Sequence, residues 1–183
     1  MKVRLLACSA LFWGLTTTVL PLVAKAVPLA SPIEMAQADG RLTAENVQAV
    51  VDQLQLARNN QDVAGTLELI APFAVTVVTV KNGDGSASTT SRIAGVDAHR
   101  QMLEQSFGQV QSRDSLENYV TIRIVDDGLG IAEIYQMETV ETLAGEAWIA
   151  ASQTVLYFGR VDGQVRVTSA TVDGWMAARP APD

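Results

Sequence analysis

The chain has 183 residues, 48% of them hydrophobic, and a formal net charge of −7. That length suits a single domain with one sizeable core. The acidic balance argues against nucleic acid or an anionic membrane surface as a partner, since both demand a net basic face.

Lys2 and Arg4 open the chain with positive charge, and Leu5 to Ala24 follows without a charge and mostly apolar. Ala24-Lys25-Ala26 then supplies the small residues that signal peptidase requires at −3 and −1. The expectation is a cleaved signal peptide over residues 1–26 and a periplasmic or secreted protein. Ala36-Gln37-Ala38 offers a second site, so the cut falls after Ala26 or after Ala38. The rival is an uncleaved anchor, because about 20 apolar residues can span a bilayer. Pro21 and the Ala-x-Ala site favour cleavage, which leaves no stable membrane anchor. Leu5-Leu6-Ala7-Cys8 has the spelling of a lipobox, but a lipobox closes the apolar stretch and this one continues past it. Cys8 therefore reads as part of the leader, and the mature chain is expected to lack disulfides and thiol chemistry. Loss of Lys2, Arg4 and Lys25 leaves ten basic and twenty acidic residues, a charge of −10.

Residues 27–42 are rich in Pro and Ala and read as a linker to a domain over 43–176. Thr43 is placed to cap a first helix, in which Val47, Val50, Val51 and Leu54 form one stripe at i, i+3, i+4, i+7. Asp62 caps a second, short helix with Leu67, Ile70 and Ala71 inward, stopped near Pro72. Val75–Val80 is β-branched and predicts a strand. A turn-rich loop from Lys81 to Ser86 leads to a return strand over Thr89–Ala94. Asp97 is expected to cap a third helix with Met102, Leu103 and Phe107 inward. Four strands follow as a meander, over Leu116–Val125, Leu129–Thr142, Ala147–Gly159 and Val165–Asp173. Their turns carry Asp127-Gly128, Ala144-Gly145 and Asp162-Gly163. Residues 177–183 read as a disordered tail.

This order predicts an α+β domain in which a strongly curved antiparallel sheet wraps around three helices. Asn60-Gln61-Asp62 and Ile93-Ala94-Gly95-Val96-Asp97-Ala98, set in that order of elements, resemble the nuclear-transport-factor-2-like superfamily with its SnoaL-like and ketosteroid-isomerase-like members. The resemblance covers about residues 43–175. It implies a cone whose helices and concave sheet face enclose an apolar pocket, and pairing of two copies through the outer sheet face.

With two-residue turns, Val120, Ile122 and Ile124 oppose Tyr135, Glu133 and Ile131, and Tyr135, Met137 and Thr139 oppose Thr154, Ser152 and Ala150. The expected pocket walls are Leu54, Val78, Val120, Ile122, Glu133, Tyr135, Met137, Trp148, Ser152 and Thr154, suited to a small apolar ligand. Glu133 and Tyr135 are the candidate acid/base and hydrogen-bond donor if the domain is a SnoaL-type enzyme. A slip of one residue in a turn would instead put Glu133 in solvent. The face carrying Ile134, Val140, Ile149, Val155 and Tyr157 is the expected homodimer surface.

The resemblance also places the isomerases' Tyr and two Asp at Leu54, at Val78, and at Thr154 or Val155. None is acidic or phenolic, so ketosteroid isomerisation, which needs a base and donors for the dienolate, is not expected. Arg123, Asp126, Arg160 and Asp162 hold the residue types of an epoxide hydrolase cluster, but two fall at turns and Arg123 on the outer face. His99, the sole histidine, is expected in solvent in the first turn of its helix. No motif for a metal or cofactor is read: Asn82-Gly83-Asp84-Gly85 lacks the closing acid of a calcium loop. A non-catalytic assembly module acting through a dimer face is the remaining alternative.

Overall fold

Thr43 sets the start of the first helix. Its hydroxyl accepts from the Asn46 backbone N–H at 3.3 Å, and Asn46 Oδ1 accepts from the Thr43 N–H at 2.9 Å. This reciprocal box satisfies two donors that a helix start leaves open and contributes about 1 kcal/mol. The helix, α1, runs Ala44–Asn59. Its stripe of Val47, Val50, Val51 and Leu54 is buried, each side chain contributing roughly 1.5–3 kcal/mol. The computed structural model describes residues 41–82 and 88–179. The expected leader at 1–26, the linker up to residue 40, the turn at 83–86 and the last four residues lie outside them.

A short α2, Val63–Glu68, follows, its N-terminus held by Asp62 Oδ1 accepting from Gly65 N–H at 2.9 Å. Ile70 and Ala71, expected in this helix, instead open the strand β1, Ile70–Asn82, whose ladder is irregular between Ile70 and Val75. β2 is Ser88–Ala94 and α3 is Gly95–Phe107. Asp97 lies inside the first turn of α3 rather than at its cap, which is Ala94. Gly95 makes the strand-to-helix corner at φ +79°, a conformation an L side chain rarely adopts. The meander consists of β3 Val110–Asp126, β4 Leu129–Thr142, β5 Ala147–Val161 and β6 Gln164–Ala178.

The six strands form one curved, unclosed sheet in the order β2-β1-β6-β5-β4-β3. β1 and β6 are parallel; the other pairs are antiparallel. Helices α1 and α3 pack on the concave face around Leu103, Val78, Val172, Leu156 and Phe158. Gly130 lies beneath α1, where an added Cβ would come within 3.0 Å of Val47 Cγ2. The fold extends slightly past the expected ends: Leu42 is buried, and Arg179 N–H donates to Ala147 O at 2.9 Å, so residues 177–179 are paired rather than a tail.

The registers of the meander differ from expectation, for two separate reasons. The β3–β4 turn is the expected two-residue Asp127-Gly128, but a bulge between Ile124 and Asp126 adds one residue to β3. Val120 therefore faces Ile134 and Ile122 faces Ala132, with Glu133 and Tyr135 opposite Thr121 and Tyr119. The β4–β5 turn has three residues, Leu143 to Gly145, with Gly145 at φ +77°. This second shift pairs Ile134 with Thr154 and Gln136 with Ser152. The two shifts cancel, so β5 presents its expected face while β4 is turned over.

Candidate functional site

Strand parity now assigns the walls. Val120 faces Ile134, Ile134 faces Thr154, Thr154 faces Val172, and Val172 faces Val78, making one row across the concave face. Of the residues expected to line a pocket, Leu54, Val78, Val120, Ile122, Trp148, Ser152 and Thr154 lie on α1 or on this concave side. Glu133, Tyr135 and Met137 do not: they belong to the convex face, where Glu133 is exposed and Tyr135 is 41% exposed. The bulge after Ile124 is the cause, because one extra residue reverses every side chain of β4. Glu133 and Tyr135 thus cannot act as an interior acid and donor. The same reversal carries Ile134 and Val140, expected on the outside, into the core.

A cavity of about 50 Å³ remains between the C-terminal half of α1 and the concave faces of β4 and β5. Val51, Leu54, Ile134 and Leu156 give it aliphatic walls; Gln55, Arg58, Gln136 and Thr154 give it polar points. It is far smaller than the roughly 300–1,000 Å³ of drug-sized sites. Leu54, which the resemblance equates with a catalytic group, lines it, and so does Thr154, one of two alternatives (with Val155) for another. Among the described residues that line it there is no carboxylate and no phenol.

The cavity's cation belongs to a buried network that alternation alone did not disclose. Arg58, in the last turn of α1, donates through Nη1 to Gln136 Oε1 at 2.7 Å and through Nη2 to Glu138 Oε1 at 3.5 Å. Arg113 of β3 donates through Nη1 to the same Glu138 oxygen at 3.1 Å. Gln136 Nε2 donates to Glu138 Oε2 at 3.0 Å. All four side chains are buried. Burial dominates their ionisation: it pulls the Arg58 guanidinium down to about 9, against the attraction of Glu138 and with the repulsion of Arg113. It also lowers Arg113 and raises Glu138, each opposed by the opposite charges beside it. Gln136 and Glu138 could have been found in the sequence as polar members of the even-numbered run Ala132, Ile134, Val140, had the bulge been foreseen.

His99 corrects a second expectation. It is fully buried, not solvated. Nδ1 lies 2.7 Å from Gly95 O, which can only accept, so Nδ1 carries the proton. Nε2 lies 2.9 Å from the Thr76 hydroxyl. The two contacts make the ring a brace between α3 and β1. Among the described residues no three His, Cys, Asp or Glu side chains gather where a metal could bind, and no helix is long and apolar enough to cross a membrane.

The convex face has its own feature. Tyr119 and Tyr135 stack with ring centroids 6.2 Å apart. Beside them lies a depression of about 200 Å³ lined by Lys81, Gln153, Asp173 and Trp175, among others.

No protein-family model matches the sequence, and no curated protein matches it. Solved structures do match in shape. A ketosteroid isomerase-like protein from Erwinia carotovora superposes with a TM-score of 0.53 at 13% identity, over 70% of this chain and 92% of that one. A hexachlorocyclohexane dehydrochlorinase from Novosphingobium barchaimii gives 0.56 at 9% identity, over 81% and 92%. A domain with a cystatin-like fold from Nostoc punctiforme gives 0.50 at 15% identity, over 79% and 78%. The chain has the nuclear-transport-factor-2-like fold. Within that fold, a curved sheet cupping α1 and α3, the concave cavity at Leu54 and Thr154 is the natural place to look for function. At these identities the likeness is one of fold, and the same fold serves many chemistries.

Proposed function

We propose that this nuclear-transport-factor-2-like domain binds a small, mainly apolar molecule between α1 and β4/β5 without performing ketosteroid-type isomerisation. The observation that carries the reading is the cavity itself, lined by four aliphatic side chains and four polar ones. Isomerisation needs a base to move a proton, and the described cavity wall offers amides, a hydroxyl and a guanidinium instead. The size of the cavity limits a fully enclosed ligand to a few heavy atoms, with any longer portion emerging to solvent.

The test is a ligand screen by thermal shift and native mass spectrometry, beside an assay with a β,γ-unsaturated ketone. The expected outcome is saturable stabilisation by small apolar compounds and no isomerisation above buffer. Turnover lost in Thr154→Val would sink the non-enzymatic reading.

A second reading concerns assembly. Tyr119 at 62%, Tyr135 at 41% and Trp175 at 40% exposure, with half-buried Val155 and Tyr157, put large apolar side chains on the convex face among polar ones such as Glu133 and Gln153. Exposed apolar groups rimmed by polar ones mark contact sites on soluble proteins, and these support a homodimer through the outer sheet. Export is proposed on the leader-like first 26 residues, and N-terminal sequencing of protein from the periplasm or medium tests it.

A further inference from the structure

We infer that the ligand taken up by this cavity ends in a carboxylate held by Arg58, with its short apolar remainder against Val51, Leu54, Ile134 and Leu156. This rests on the pocket reading above and gives that ligand a chemical class.

Three observations support it. The first is composition: Arg58 supplies the one charge among the described cavity walls, and Gln55, Gln136 and Thr154 are neutral hydrogen-bonding groups beside it. A planar guanidinium with five N–H donors matches a carboxylate better than any other small head group. The second is preorganisation. Gln136 and Glu138 hold the Arg58 guanidinium from the sheet side at 2.7 and 3.5 Å, so binding does not have to order a long side chain. The third is burial: the Arg58 guanidinium sits in the interior, and a low dielectric strengthens its attraction for a carboxylate. Burial lowers the proton affinity of Arg58, and a bound carboxylate acts in the opposite sense. The volume of about 50 Å³ and the aliphatic walls favour a short monocarboxylate over a multiply charged phosphate, which needs more donors than this wall presents.

The experiment is a methyl-NMR titration of the folded chain with sodium propionate, propionamide as neutral isostere, and sodium phosphate, at constant ionic strength. Propionate is expected to shift the methyls of Val51, Leu54, Ile134 and Leu156 saturably. Propionamide is expected to bind about tenfold more weakly, the scale of one charge-assisted hydrogen bond. Phosphate is expected to leave those methyls unmoved. Arg58→Gln should weaken propionate about tenfold while leaving propionamide unchanged. Should that variant fail to fold, Leu54→Phe fills the cavity with the arginine network intact and should abolish the propionate shifts. Equal binding of propionate and propionamide overturns the carboxylate inference and leaves the pocket reading standing. Equal shifts from phosphate also overturn it. No binding by any probe overturns both, and undiminished propionate binding in Leu54→Phe shows that the site is elsewhere.

Discussion

Arg58 of α1 and Arg113 of β3 meet on a single oxygen, Glu138 Oε1, at 3.5 and 3.1 Å. The relationship ties the last turn of the first helix to the edge strand through β4. It also positions the one charge among the described residues that line the concave cavity.

Removing one member of this network should be costly. Arg113→Met takes from buried Glu138 its shorter ion pair, at 3.1 Å, and should destabilise by about 3–5 kcal/mol. The combined Arg58→Met, Arg113→Met and Glu138→Leu variant removes all three charges of the network and should be more stable than Arg113→Met alone. Urea unfolding of the two variants makes the comparison, and a triple variant that is the weaker of the two contradicts it.

The network should also make stability depend on pH. Burial raises Glu138 above its ordinary 4.5, so just above pH 4.5 the folded chain keeps a proton that the unfolded chain has released. The stability from this group is full below 4.5 and is lost as the pH rises through the raised value. Glu138→Gln has no such proton. Wild type should therefore lose stability relative to Glu138→Gln as pH climbs from 4.5, seen in paired denaturation curves. A constant difference across that range would count against the raised ionisation.

On the convex face, Tyr135→Glu should shift the protein toward monomer. It places a charge beside Tyr119, on the face that a second copy would cover. Sedimentation velocity over a range of concentrations reads the change. The cavity lies on the other side of the sheet, so probe binding should persist. A wild-type chain that is already monomeric at high concentration removes the dimer proposal.

His99→Leu should destabilise by about 1–3 kcal/mol, because it leaves the Gly95 carbonyl and the Thr76 hydroxyl without their shared partner. Adding Thr76→Val should recover part of that loss by removing one of the stranded groups. Neither residue borders the cavity, so ligand binding should be unchanged in both variants. Thermal melts and the propionate titration together check this.

Most of the element order was legible because local chemistry decides it. Thr43 and Asn46 announce the start of α1, the Val47–Leu54 stripe announces its buried face, and Asp162-Gly163, both at positive φ, announce their hairpin. β4 begins and ends where turn residues and β-branched pattern place it, at Leu129 and Thr142. Ile70 and Ala71 were misassigned because an apolar pair at the end of a short helix has no period of its own. Their strand conformation comes from pairing with β6, a partner nearly a hundred positions away, as in Ile70 with Val167.

By itself, the sequence determined most of the helices and strands and which face of α1 is buried. Only the tertiary structure decided which face of β4 points inward. Side chains alternate with a period of two, so one bulged residue after Ile124 exchanges Glu133 and Tyr135 for Ile134 and Gln136. The same exchange places Glu138 between Arg58 and Arg113, far apart in the chain and without a shared motif. No local pattern encodes that meeting; it exists because the sheet folds three distant segments onto one another.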